Sequence, residues 1–323
     1  MRNRVARRQF LASSAAAAAG LALGLEHEAC AQPPFKHKLH KALIVGKPTE
    51  ESLAPMKEAG FDGVEARIVS PEEAAQAKQV ADGLGMRIHS VLRGWASFNS
   101  NNEDEVSKSV DTTAAALRAG QAYGADAVLL VPCRIGGQAM PEPWEFRIRF
   151  DEDTGHLLQV AEGDNAPYRD YIAAHDHAYD TSKAAIHRLI PIAQETKVVI
   201  AVENVWNNLF VDARHLAHFV DSFNSPWVQV YFDIGNHVKY SPPEQWIRVL
   251  GERIVKCHVK DFRLNEDGHG GRFVNIREGS VNWPVVRRAL DDIGYDGWMT
   301  IEGSGGLSIE EKSRRLDLII AGD

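Results

Sequence analysis

The chain is poor in cysteine, in net positive charge and in long apolar runs. Three cysteines in 323 residues, Cys30, Cys133 and Cys257, exclude a fold held by a disulfide framework. An oxidising compartment would permit a Cys133–Cys257 bridge, but nothing in the spacing demands one. Cys257 lies inside an apolar run and reads as a small buried hydrophobe. Lysine and arginine number 36 against 44 acids, a formal charge of −8. Binding to a polyanion is driven by counterion release from clustered cations, so nucleic acid is not an expected partner. No apolar stretch beyond residue 31 is long enough to span a bilayer. No GxGxxG follows the first strand candidate, which weakens a dinucleotide-binding reading.

The first 31 residues form a separate segment. Four arginines precede a short, alanine-rich apolar stretch. Arg7-Arg8-Gln9-Phe10-Leu11 resembles a twin-arginine export signal, and Ala29-Cys30-Ala31 fits a small-x-small cleavage site that leaves Gln32 as the new start. The expectation is an exported, periplasmic protein without stable membrane insertion after cleavage. Loss of Met1–Ala31 moves the formal charge from −8 to −10. Residues 32–323 are expected to form one domain, with homo-oligomerisation left open.

Within that domain, short apolar runs alternate with longer amphipathic stretches. The strand candidates are ALIVGKP, GVEARIV, RIHSVL, AVLLVPC, VVIAVENV, VQVYFDI, RIVKCHV and WMTIEG. Between them, TEESLAPMKEAG and SPEEAAQAKQVADGLG open on a hydroxyl residue followed by acids and close at glycine, the signature of a capped helix. Helical patterns also cover 102–123, 243–250, 282–293 and 308–320. Eight strand–helix units predict an α/β fold, a single (β/α)₈ TIM barrel, over a doubly wound open sheet. Two segments break the rhythm, 134–167 and 263–280. Both follow strands, on the face where barrels carry their active-site loops. Trp144 and Phe146 in the first are candidates for capping a pocket.

Strand side chains alternate between two faces. In the last four strands Val199, Ala201 and Glu203 share a face, as do Tyr231 and Asp233, then Ile254, Lys256 and His258, then Thr300 and Glu302. If the apolar partners face the helices, Glu203, Asp233, His258 and Glu302 converge on the strand C-terminal mouth. Three carboxylates in one mouth repel unless a cation neutralises them. Three oxygen donors and one imidazole suit a single divalent ion, Mn²⁺, Mg²⁺ or Co²⁺, with Zn²⁺ also compatible. The competing explanation is a buried ion-pair network compensated by Lys256 and Lys260.

The series VENVW, FDIGNH, HVKD and TIEG resembles the sugar phosphate isomerase/epimerase family, the xylose-isomerase-like TIM barrels that include ketose 3-epimerases. The resemblance implies that Glu203, Asp233, His258 and Glu302 bind one divalent metal and that Glu203 and Glu302 also carry the proton chemistry. Where some ketose 3-epimerases place a substrate-contacting histidine, three residues after the metal aspartate, this chain has Asn236, with His237 next. The DxGN form is similar to the pentulose-phosphate epimerase branch, yet REGSVNW lacks that branch's GEG-type turn.

The implied reaction is isomerisation or epimerisation of a small-molecule ketose or keto-sugar through a cis-enediolate. One glutamate removes a carbon-bound proton and the other returns one. Further rim candidates for substrate binding are His89, Trp95, His237 and Lys260; Glu65 faces the mouth without an assigned role. GSGG after the last strand lies where many barrels bind phosphate, but reads more simply as a turn. An export signal favours a free ketose, a keto-sugar or its glycoside over a sugar phosphate. Two rival readings are a metal-dependent lyase on a 3-keto-glycoside, in which the same enolate expels a substituent, and an exported sugar-binding protein without catalysis. A repair phosphodiesterase of the endonuclease IV type would need more metal ligands and a basic face.

Overall fold

A computed structural model describes residues 34–323. The expected export segment, Met1–Ala31, lies outside the described residues. Among the described residues, twelve strands and eight α-helices run in the order β1 (His40–Ile44), α1 (Glu50–Glu58), β2 (Gly63–Arg67), α2 (Pro71–Gly83), β3 (Arg87–Trp95), α3 (Glu103–Tyr123), β4 (Ala127–Val131), β5 (Phe146–Phe150), β6 (Leu157–Ala161), α4 (Arg169–Thr196), β7 (Val199–Glu203), α5 (Ala213–Asp221), β8 (Val228–Asp233), α6 (Pro243–Leu250), β9 (Ile254–Val259), β10 (Asp261–Leu264), β11 (Gly271–Val274), α7 (Trp283–Asp292), β12 (Trp298–Ile301) and α8 (Ile309–Ala321). Eight strands close into a parallel barrel in the order β1-β2-β3-β4-β7-β8-β9-β12, with β12 pairing back to β1. This is the (β/α)₈ TIM barrel expected from the alternation of strands and helices.

Local chemistry starts the helices where the sequence suggests. Thr49 and Ser52 form a capping box on α1, and Ser70 and Glu73 form one on α2. Asn282 and Ser308 cap α7 and α8 through their side chains.

Period two governs the barrel wall. Ala127, Leu129, Val131, Ala201 and Tyr231 form an inner apolar cluster, whereas Ile200, Val202, Val230, Phe232, Cys257 and Met299 pack outward against the helices. One expected parity is broken. Ile254 packs outward and Val255 inward, because a bulge puts Val255 between the residues paired with Val230 and Tyr231. Above the bulge the alternation resumes, so Lys256 and His258 still point inward. Both described cysteines, Cys133 and Cys257, are buried and unbridged. No helix among the described residues is long and apolar enough to cross a membrane.

The two segments expected to be irregular each contain an antiparallel hairpin, β5–β6 and β10–β11. Trp144, just before β5, stacks on His269 of the second hairpin's turn, with ring centroids 4.2 Å apart. Phe146, half-buried like Trp144, packs its ring edge-on against Tyr171 and Tyr240.

Candidate metal centre

The stretch that ends β8, FDIGNH, is a turn folded around its own carboxylate. Asp233 Oδ1 accepts hydrogen bonds from the N–H groups of Gly235 at 2.8 Å and Asn236 at 2.6 Å. Asn204, the residue after Glu203, brackets the Asp233 backbone. Its amide donates to the Asp233 carbonyl at 2.8 Å and accepts from the Asp233 N–H at 2.6 Å. The Asn204 side chain thus continues the β7–β8 ladder where the strands end. Gly235 permits the turn: a Cβ there would lie 2.7 Å from the carbonyl carbon and oxygen of Lys260.

These contacts leave Asp233 Oδ2 buried and without a hydrogen bond. It faces Lys260 Nζ at 3.4 Å and His258 Nδ1 at 3.9 Å. His258 Nδ1 also lies 3.3 Å from Glu203 Oε1 and 3.2 Å from Glu302 Oε2. Glu203, Asp233, His258 and Glu302 each present one donor atom, all within 4.8 Å of one another. At an effective dielectric constant of ~20, two carboxylate charges at such a distance repel by about 3 kcal/mol.

The local electrostatics reflect this crowding. Burial foremost pushes the Asp233 carboxyl up to about 7; Glu302 and Glu203 add to the rise, and Lys260 and His258 oppose it. Burial also raises Glu203. Burial would raise Glu302 too, but His258 and Lys260 outweigh it and hold that carboxyl low. The Glu302 side chain is one-third exposed, the most open of the four, and Lys260 Nζ sits 2.7 Å from its Oε2. A buried carboxylate oxygen without a hydrogen bond, in a set of three carboxylates and one imidazole, fits a divalent cation.

The other rim candidates separate into two groups. Lys260 reaches the centre, with Asn236 Oδ1 accepting from its Nζ at 3.2 Å. Trp95 is 44% exposed at the C-terminal tip of β3, with the Arg134 guanidinium over its ring at 4.2 Å. His89 and His237 do not face the mouth. The expected strand end at His89 is displaced, because β3 runs on to Trp95; His89 sits near the barrel floor, stacked on Trp298 and paired with Thr300 Oγ1 at 3.0 Å. His237 is buried beneath the Asp233 turn. Its Nε2–H donates to the Phe210 carbonyl at 2.7 Å, and its Nδ1 accepts from Asn204 at 3.2 Å. Lys256, offered as a counter-charge to the acids, instead pairs with Asp126 at 2.6 Å, before the start of β4.

Asn204 and the aromatic pair Trp206 and Phe273 were not singled out by the sequence patterns. Trp206 follows Glu203 by three residues and packs on Phe273, whose ring lies 5.0 Å from Lys260 Nζ. The adjacent VENVW run was the available signal for Asn204 and Trp206. Nothing local marks Phe273.

Residues 53–317 match the family model of the xylose isomerase-like TIM barrel, and the chain belongs to that family. It is 28% identical over 159 residues to the L-ribulose-5-phosphate 3-epimerase UlaE of Escherichia coli O1:K1 / APEC, a match covering 48% of this chain and 52% of that one. The chain spans about half the length of the curated relatives it matches. Among solved structures, it resembles a D-tagatose 3-epimerase-like protein at TM-score 0.65 and 19% identity, covering 87% of this chain and 98% of that chain. It resembles the 3-keto-D-glucoside 4-epimerase YcjR of E. coli at TM-score 0.65 and 13% identity, covering 87% and 99%. These structural likenesses establish the fold.

Proposed function

We propose that the protein is a divalent-metal-dependent isomerase or epimerase of a ketose or keto-sugar. One observation carries the proposal: two glutamates, an aspartate and a histidine bring donor atoms within 4.8 Å of one another at the ends of β7, β8, β9 and β12. The substrates named for the relatives, a pentulose phosphate and a 3-keto-glucoside, share a carbonyl beside a hydroxylated carbon.

In this reading Glu203, Asp233, His258 and Glu302 hold one divalent ion. Bound there, the ion supplies positive charge that polarises the substrate's carbonyl and hydroxyl oxygens. Glu203 and Glu302 approach from different strands, so one takes the proton from the carbon beside the carbonyl while the other delivers one. Delivery to the opposite face of the same carbon gives an epimer; delivery to the neighbouring carbon gives an isomer. Lys260, held between Asp233 and Glu302, keeps the Glu302 carboxylate ionised and presents an ammonium to substrate oxygens.

Incubation in heavy water tests the proposal. The protein loaded with Mn²⁺ or Co²⁺ is expected to incorporate deuterium beside the carbonyl of a free ketose or 3-keto-glycoside. Chelation should stop the uptake and fresh metal should restore it. Loss of the glycosidic substituent would identify a lyase using the same proton abstraction. No deuterium uptake from any such sugar by the metal-loaded protein would leave only a sugar-binding role.

The reading also takes Met1–Ala31 as an export signal, which makes an unphosphorylated sugar the expected substrate. Protein recovered from the periplasm should begin at Gln32. Recovery of the uncleaved chain from the cytoplasm alone would remove this part of the proposal.

A further inference from the structure

We propose that Glu65 is a positioning residue, gripping the His258 imidazole at Nε2 so that Nδ1 is aimed at the three carboxylates. The inference rests on the metal-centre reading. Glu65 stands on β2, outside the four strands that carry the donors, and is fully buried. An ionised carboxylate in that position is costly unless both oxygens are engaged. Both are: Oε2 accepts from His258 Nε2 at 2.8 Å, and Oε1 accepts from the Ser90 hydroxyl at 2.7 Å.

The consequence follows from the chemistry of the ring. In the neutral imidazole one nitrogen carries a proton and the other a lone pair. With a cation in the centre, a carboxylate accepting at Nε2 would keep the proton there, so that the Nδ1 lone pair is the one offered to the ion beside Glu203, Asp233 and Glu302. A hydrogen bond of this kind from a metal-binding histidine fixes its tautomer and raises its donor strength. Tyr231 packs against the ring with centroids 4.5 Å apart, and its hydroxyl lies 3.5 Å from Ser90 Oγ. The imidazole is therefore held along one edge by Glu65 and packed by Tyr231, with Ser90 touching both holders. Glu65 is a link the sequence patterns left without a role, although its inward parity on β2 is readable from GVEAR.

The test is Co²⁺ titration of wild type, Glu65→Gln and Ser90→Ala by calorimetry and visible absorption. The side-chain amide introduced by Glu65→Gln can donate to Nε2 and drive the proton onto Nδ1. That variant is expected to weaken Co²⁺ binding by about 10- to 100-fold and to alter the Co²⁺ absorption bands. Its metal-free thermal midpoint is expected to fall, because the substitution removes one charge of a buried hydrogen-bonded pair, and affinities are compared only in variants that still melt cooperatively. Ser90→Ala, which retains the carboxylate, should weaken binding about fivefold and keeps the proposal testable if Glu65→Gln does not fold. Wild-type affinity and spectrum in the folded variants would overturn the positioning role and leave the metal centre standing. Failure of the wild-type protein to bind Co²⁺ would overturn both.

Discussion

Glu203→Gln and Glu302→Gln are each expected to lower solvent-proton exchange into the substrate by about 10²- to 10⁴-fold, the usual contribution of a positioned acid or base. Gln keeps the shape and an oxygen donor but cannot take a proton at neutral pH. Both residues also belong to the donor set, so exchange must be measured at metal concentrations that saturate each variant. A variant that holds metal, folds as wild type does and still exchanges at the wild-type rate would strip that glutamate of its role. Full exchange in both would end the two-carboxylate mechanism. Glu203 is buried and held high, whereas Glu302 is more open and held low by its cationic neighbours. That difference suits two carboxylates with separate tasks.

The second large effect is on stability in mild acid. Burial, aided by neighbouring His175, holds the His215 imidazole down at about 3. His215 stands on α5 and bonds through Nε2 to the Gly155 carbonyl in the β5–β6 turn at 2.8 Å. The charged or titratable groups around it include His175 and Tyr179 from α4, His218 from α5 and the cap residue Asp212. Its folded pKa is depressed, so between about 6.5 and about 3 the unfolded chain binds the proton that the folded chain refuses. Its contribution is therefore intact above pH 6.5 and is lost as pH falls, on the order of 2 kcal/mol by pH 5.

Wild type alone would not isolate this effect. Asp233, pushed up to about 7, takes up its proton in the folded state and has the opposite sign over the same range. The comparison with His215→Gln isolates the histidine. The variant, less stable at pH 7 through lost packing, should close its gap with wild type by about 2 kcal/mol at pH 5. Urea unfolding at both pH values measures the gap. An unchanged gap would mean that His215 is not held neutral.

Much of the barrel is readable from sequence because strand alternation and helix capping are local. VVIAVENV, VQVYFDI and WMTIEG declare their inward faces without knowledge of their neighbours, and Ser70 with Glu73 declares the start of α2. The missing parts have physical reasons. FRIRF in β5 alternates as a strand should, but proline, glycine and acids on either side hide it. The start of α4 lacks a side-chain cap at Tyr168, so no local signal marks its onset. Bulges depend on the partner strand: neither the inward turn of Val255 nor the displacement of His89 is written in its own segment. The Glu65–His258 contact joins residues 193 apart, and only barrel closure brings them together. His237 misleads for a related reason. Its place after a metal-competent aspartate suggests substrate contact, yet the Asn204 and Phe210 groups that occupy its ring come from another strand end and loop.

The bulge at Val255 also bears on which insertions and deletions the fold can absorb. Excising Val255 would regularise β9 and leave His258 pointing into the barrel, because the odd residue lies below it. Excising Cys257 would rotate His258 into the helical layer and empty one corner of the donor set. Lineages of this barrel can therefore drift in length at the foot of β9, but not between Lys256 and the histidine.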